Sequence, residues 1–254
     1  MIERYLKLIE NTLDEIMPQP SDRPNVLSEA VRYALGAGGK RIRPLICLAS
    51  SVAVGGRAED ARFPAAAIEL LHNYTLVHDD LPSMDNDVER RGRPTVWKRF
   101  GEANAVLVGD ALQSLAFAAA AKTPVNTGAV VAELAEKGVG VVQGQVEDIG
   151  EKKDVGYVYL HKTADLFIAA AKMGALAGGG GGSEVARIGE FASNLGLAFQ
   201  YEDDLLDGDS PYGREETERL VRESTAAAVK ALSGLPGEVT FLRSLAEGLV
   251  GRKV

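Results

Sequence analysis

Residues 65–85 read Ala65-Ala66-Ala67-Ile68-Glu69-Leu70-Leu71-His72-Asn73-Tyr74-Thr75-Leu76-Val77-His78-Asp79-Asp80-Leu81-Pro82-Ser83-Met84-Asp85, and this stretch decides the fold. Its apolar residues through Val77 predict a helix that ends on two carboxylates, Asp79 and Asp80. Pro82 cannot extend that helix, because it lacks an N–H and its ring meets the preceding turn. Asp85 is therefore presented from a turn. His72 stands seven residues before Asp79, two helical turns back on nearly the same face, so its imidazole can reach the same cavity. A lone histidine in such a place is otherwise a hydrogen-bonded core residue.

A second acidic group lies far along the chain, in Phe199-Gln200-Tyr201-Glu202-Asp203-Asp204-Leu205-Leu206-Asp207. Gln200, Asp203, Asp204 and Asp207 fall at i, i+3, i+4 and i+7, on one helical face. Crowded carboxylates raise one another's pKa unless a cation sits among them, and oxygen-only ligation selects a hard ion such as Mg²⁺. Alone, the cluster reads equally as a solvated acidic face.

Two basic clusters complete the pattern. Gly38-Gly39-Lys40-Arg41-Ile42-Arg43-Pro44 opens a helix, and Arg90-Arg91-Gly92 follows the first aspartates. Guanidinium groups grip phosphate oxygens through paired hydrogen bonds, lysine supplies a compact charge, and glycine admits close backbone approach. Metal-binding acids beside phosphate-binding cations describe a site with two jobs: one diphosphate is neutralised through metal as it leaves, and a second is held directly.

The rest of the chain is helical in pattern. Ile2, Leu6, Ile9, Leu13 and Ile16 recur at three- and four-residue spacing, and alanine-rich stretches continue it, whereas alternating strand patterns are nearly absent. Breakers at 18–24, 36–39, 55–56, 92–94, 123–128, 150–156, 178–182, 208–213 and 234–237 divide the chain into about ten helices. The fold class expected is all-α, with residues 1–254 forming one domain and the five-glycine run at 178–182 a loop within it.

Composition excludes several classes. With 254 residues, 46% of them hydrophobic, the chain can bury a large core. A formal charge of −8 gives no general basic field, so nucleic acid is not an expected partner. The most apolar windows, 103–121 and 163–182, are interrupted by Asp110 and by Asp165 and Lys172, so no stable membrane insertion is expected. The N-terminus lacks the pattern of a signal peptide, and the lone Cys47, in an apolar run, reads as a small buried hydrophobe. Both point to a reducing cytoplasm.

These motifs together resemble the trans-isoprenyl diphosphate synthases, also called the polyprenyl synthetase family. The resemblance runs from about Gly38 to Asp207: Gly-Gly-Lys-Arg-Ile-Arg-Pro at 38–44, Glu69 to His72, His78 to Asp87, Arg90 to Thr95, Gly144-Gln145, His161-Lys162-Thr163, and Phe199-Gln200 before the second aspartates. It implies a helical bundle around a deep cavity, a homodimer, and condensation of isopentenyl diphosphate with an allylic diphosphate. It implies Mg²⁺, three ions with substrate bound, with Mn²⁺ able to substitute. By position, Asp79, Asp85 and Asp203 would ligate metal, with Asp80, Asp204 and Asp207 supporting or sharing. Lys40, Arg43, His72 and Arg91 would bind isopentenyl diphosphate. Arg90, Lys162, Thr163 and Gln200 would serve the allylic substrate.

Tyr74 and its neighbour Thr75 would set product length, since Tyr74 lies five residues, roughly 7.5 Å, back along the helix from Asp79. A ring there and the spacing through Leu81-Pro82-Ser83-Met84 resemble bacterial-type farnesyl diphosphate synthases and favour C15 over the C20 alternative. One departure stands out: after Asp207 the family continues with a Gly-Lys motif and a further lysine, whereas here Gly208-Asp209-Ser210-Pro211-Tyr212-Gly213 leads straight on. Either the lid is short, or a segment is absent from the chain.

Competing readings are weaker. A class I terpene cyclase resembles an Asn/Ser/Glu pattern at its second metal site. A di-iron bundle needs a second copy of Glu69-x-x-His72, and Val158 and Thr75 stand where the glutamates before His161 and His78 would be. A non-catalytic partner subunit would be expected to lose metal ligands, and all six aspartates are present.

Overall fold

The computed structural model describes residues 1–36, 38–248 and 250. Twelve α-helical segments are found among them: α1 (Ile2–Ile16), α2 (Asn25–Leu35), α3 (Ile42–Ala53), α4 (Arg62–Asp79), α5 (Val96–Phe100), α6 (Glu102–Ala120), α7 (Thr127–Asp148), α8 (Val155–Val158), α9 (Asp165–Ala177), α10 (Gly182–Asp207), α11 (Arg214–Ala231) and α12 (Thr240–Glu247). A 3₁₀ turn, Ala58–Ala61, precedes α4, and a π-helical turn, Tyr159–Ala164, joins α8 to α9. The count exceeds the expected ten because α5 and α8 are single turns, too short for hydrophobic periodicity to register. The all-α class is as expected. The described strands are one two-residue antiparallel pair, β1 (Glu89–Arg90) with β2 (Arg93–Pro94).

The bundle is organised around α9. Leu166 through Ala171, Met173, Ala175 and Ala177 are buried, and the helix packs against α3, α4, α7 and α10. An apolar helix buried on nearly every side has no solvated face. On the other side of α4 lies α6, which buries Ala105, Val108, Leu112, Ala116 and Ala119. α1 covers the bundle with Ile9 and Leu13, from the apolar stripe read in the sequence, and with Tyr5, which lies outside it, while Ile2 stays exposed.

Two sequence features look different in three dimensions. Helix α6 is long and apolar enough to cross a membrane by length and composition despite Asp110, as a core helix can be, and it packs against α4. The glycine run between α9 and α10 is a packing contact as well as a loop. A Cβ at Gly178 would stand 2.7 Å from both the carbonyl and the hydroxyl of Ser51 on α3, so only glycine fits there.

Candidate active site

A cavity of about 510 Å³ opens where α4 ends. From α4 come His72, Tyr74, Thr75, His78 and Asp79; from α7, Val141, Val142, Gln145 and Val146; from the π turn, Lys162 and Thr163. Arg43, on the first turn of α3, and Leu166 of α9 complete this part of the lining. A largely apolar bore with a few charged groups is the usual form of a small-molecule site. The structure therefore gathers seven of the residues singled out in the sequence: Arg43, His72, Tyr74, Thr75, Asp79, Lys162 and Thr163.

Burial pushes the Asp79 carboxyl up to about 6, with Lys162 opposing and Asp85 and Asp80 adding to the rise. Lys162 donates to Asp148 Oδ2 at 2.5 Å. Burial tends to raise Asp148, but its bonds from Lys162 and Lys153 hold the carboxyl below its ordinary value. Lys162 can sit this close to α7 because Gly144 has no side chain: a Cβ there would collide with the Lys162 backbone.

Arg43 lies with its guanidinium 4.7 Å from the centre of the Phe167 ring and its Nη1 3.4 Å from His72 Nε2. Burial lowers Arg43 to about 10, and burial with the nearby arginines Arg43, Arg91, Arg90 and Arg41 holds His72 well below 6.5. A neutral ring that accepts at Nε2 carries its proton on Nδ1. Arg43 Nε, His72 Nδ1 and Gln145 Nε2 are buried without a hydrogen-bond partner. All three residues line the cavity, and three N–H donors turned to no protein acceptor suit an oxyanion.

The basic hairpin sits beside this cavity and outside its lining. Arg90 donates to Asp80 at 2.6 Å and to Asp87 at 3.3 Å. Burial raises Asp80, with the Arg90 bond opposing. Arg91 donates to the Gly38 carbonyl and Arg93 to the Gly36 carbonyl at 2.8 Å, latching the hairpin to the loop before α3. Lys40 in that loop is exposed, while Arg41 turns inward to Glu69 at 2.6 Å and Glu10 at 2.8 Å. Lys40, Arg90 and Arg91 thus do not line the cavity. Asp85 is exposed on the turn, its amide bonded to the Asp79 carbonyl at 2.9 Å, as Pro82 led us to expect.

The second aspartate group is not the uniform face expected from its spacing. Asp207 is exposed, Asp203 half-buried, and Asp204 buried. Thr163 Oγ1 donates to Gln200 Oε1 at 2.7 Å, and Gln200 Nε2 donates to Asp204 Oδ1 at 2.9 Å. The Tyr159 hydroxyl takes Asp204 Oδ2. Thr163, through Gln200, connects α10 to the cavity lining.

Among the described residues no group of three or more acids, histidines or cysteines gathers as a ready metal cage. Mg²⁺ is ordinarily held by one or two carboxylates together with substrate phosphates and water, so a cage is not what it needs. The donor set fits such an ion: Asp79 is a crowded, half-buried carboxylate whose charged form is disfavoured until a cation arrives.

Sequence reading missed Asp148 and Tyr159, and quoted Gln145 without a role. Gln145 and Asp148 stand at i and i+3 on one helix face, just before the break at Gly150, which is a readable signal. Tyr159 gave none, because its partner lies 45 residues away.

Comparison with known proteins places this arrangement. The chain belongs to the polyprenyl synthetase family, whose profile matches residues 24–218. It is 45% identical over 219 residues to the heterodimeric geranylgeranyl pyrophosphate synthase large subunit 1 of Arabidopsis thaliana, covering 79% of this chain and 58% of that one. Identity to the geranylgeranyl pyrophosphate synthase of Capsicum annuum is 45% over 198 residues, 72% of this chain and 54% of that one. The chain thus spans just over half the length of these plant relatives. The fold matches the crystal structure of geranylgeranyl pyrophosphate synthetase from Pyrococcus horikoshii with a TM-score of 0.89 at 29% identity, covering 99% and 97% of the two chains. It matches an FPP/GFPP synthase from Zymomonas mobilis with a TM-score of 0.85 at 34% identity, covering 98% and 100%.

Proposed function

We propose that this chain is a prenyltransferase that joins isopentenyl diphosphate to allylic diphosphates and makes geranylgeranyl diphosphate, acting as a homodimer with Mg²⁺ in a reducing cytoplasm. The observation that carries the reading is the cavity itself, where Asp79, Lys162 and Thr163 share one apolar lining with Arg43 and His72. Two charged sets on one greasy bore suit two diphosphates whose hydrocarbon parts must meet.

Cleavage of the allylic C–O bond sends its electron pair to diphosphate and leaves a cation on carbon. Mg²⁺, when bound, would neutralise the growing charge on the leaving group, with Asp79, Asp85 and Asp203 as its holders. Lys162 and Arg90 add positive charge from the protein, exchanging their carboxylates for phosphate oxygens. The hydroxyl of Thr163 and the amide oxygen of Gln200 offer lone pairs to the cation. Arg43 and His72, with Lys40 and Arg91, hold isopentenyl diphosphate so that its π electrons form the new C–C bond. The proton then lost can pass to the departed diphosphate. No protein nucleophile is needed.

For product length we adopt C20 in place of the C15 that Tyr74 suggested, because the plant relatives are geranylgeranyl synthases by name. Leu107 on α6 and Val139 on α7 are exposed apolar side chains outside the cavity lining, and a second copy of the chain would cover them in the proposed dimer. The decisive experiment incubates the chain with Mg²⁺, isopentenyl diphosphate and each allylic primer, then reads product length by chromatography. Geranylgeranyl diphosphate is expected. Farnesyl diphosphate alone would restore the C15 reading, and no release of diphosphate with any primer would end the synthase reading.

A further inference from the structure

The segment after Asp207 and the tyrosines around it are not explained by the reaction above. Tyr159 of the π turn, Tyr201 of α10 and Tyr212 of the connecting segment pack edge to face in all three pairings, with ring centres 5.6, 6.3 and 6.1 Å apart. Such pairs contribute beyond simple burial. Packing alone, however, would not require the Tyr159 hydroxyl to bond Asp204, nor both oxygens of one carboxylate to be taken.

The bonding forms a closed ring between two elements. Tyr159 and Thr163, four residues apart on the π turn, engage Asp204 and Gln200, four residues apart on α10. Asp204 also ends the helix, its carbonyl accepting from the amides of Gly208 at 2.9 Å and Asp209 at 3.3 Å. Tyr212 then folds back onto Tyr159 and Tyr201 from four residues beyond Gly208, so the connecting segment closes over the same carboxylate.

We propose that Asp204 is a strut rather than an open metal ligand, and that Tyr159 and Tyr212 are positioning residues that fix the second aspartate group against the Lys162–Thr163 turn. The inference rests on the proposed diphosphate chemistry for its meaning, and on the hydrogen bonds and ring contacts for its substance. Partners that orient a metal-holding group change metal affinity by about 10- to 100-fold when removed.

The test is a titration of the full chain with Mn²⁺ in the presence of inorganic diphosphate, followed by electron paramagnetic resonance of free Mn²⁺, with circular dichroism as the control on folding. Tyr159→Phe keeps the ring and removes only the hydroxyl; it should weaken Mn²⁺ binding by about 10-fold or more. Tyr212→Leu removes the ring contacts with Tyr159 and Tyr201 and should weaken it in the same direction. Asp204→Asn, whose amide oxygen still accepts from Tyr159, should retain more binding than Asp203→Asn. Binding by Tyr159→Phe and Tyr212→Leu equal to that of the unaltered chain overturns the proposal, as does an unaltered chain that binds no Mn²⁺ with diphosphate. An unaltered chain that binds Mn²⁺ but transfers no prenyl group removes the reaction reading alone, and the variants still decide the strut.

Discussion

Lys162 Nζ lies 2.5 Å from Asp148 Oδ2, so the cation assigned to the allylic diphosphate is neutralised by a carboxylate of the neighbouring helix. Lysine is long and flexible, and a fixed acceptor keeps it aimed at the cavity between turnovers. Asp148→Asn should therefore lower kcat/KM for the allylic substrate by about 10-fold while leaving KM for isopentenyl diphosphate unchanged. Steady-state kinetics with each substrate varied in turn checks this, and equal losses on both would refute the assignment.

Gly144 lets α7 touch the backbone of the residue that carries this cation. In Gly144→Ala the added methyl must move the π turn, at a cost of about 1–3 kcal/mol in urea unfolding. A displacement of roughly 1 Å at Lys162 should cost about 100-fold in kcat. A variant that loses stability and keeps full activity would show that the turn tolerates the shift.

His72 gives a pH signature. Burial and the surrounding arginines keep it neutral in the fold, well below 6.5. As pH falls through 6.5 the unfolded chain takes up a proton that the folded chain refuses, so the unfolded state binds more protons and stability falls. Below about pH 6 this loss is opposed by Asp79, which takes up its proton in the fold before it would in the unfolded chain. The His72 part is therefore read as a difference: as pH falls from 6.5 to about 5, the urea midpoint of His72→Phe should rise relative to that of the unaltered chain, and a difference that does not change with pH would refute it.

Tyr74 lies in the cavity wall with its ring edge-on to His78 at 5.5 Å. Tyr74→Ala should open the bore and lengthen the products, read by mass spectrometry of the dephosphorylated alcohols. An unchanged product would place the floor elsewhere, and Thr75, which lines the same wall, is the next position to alter.

The range of each interaction decides whether the sequence makes it legible. The path of α4 into Asp79, the turn to Asp85 and the return of His72 to the same cavity depend on spacing within one helix, and periodicity reports them. The seven predicted residues that share the cavity come from three such local stretches, 38–44, 65–85 and 161–163. Long-range choices were not legible. Whether Arg90 meets phosphate or Asp80, and whether Asp204 faces a metal or Tyr159, depends on which elements the bundle brings together. Arg41 and Arg43 illustrate the limit: two positions apart in one motif, one is locked into Glu69 and Glu10 while the other lines the cavity. Helical spacing said they differ in direction, but not which one faces in.

The π-helical turn at Tyr159–Ala164 also makes the site sensitive to deletion. An α-helix advances about 100° per residue, and a wider turn accommodates an extra residue without rotating the helix beyond it. Removing one residue from within this turn would let it relax to ordinary helical geometry with the helices on either side unrotated, but it would shorten the spacing of Tyr159 and Thr163 from four residues to three, and their bonds go to Asp204 and Gln200, four residues apart on α10. In this chain the extra residue of the turn sets the spacing that ties the two halves of the site together.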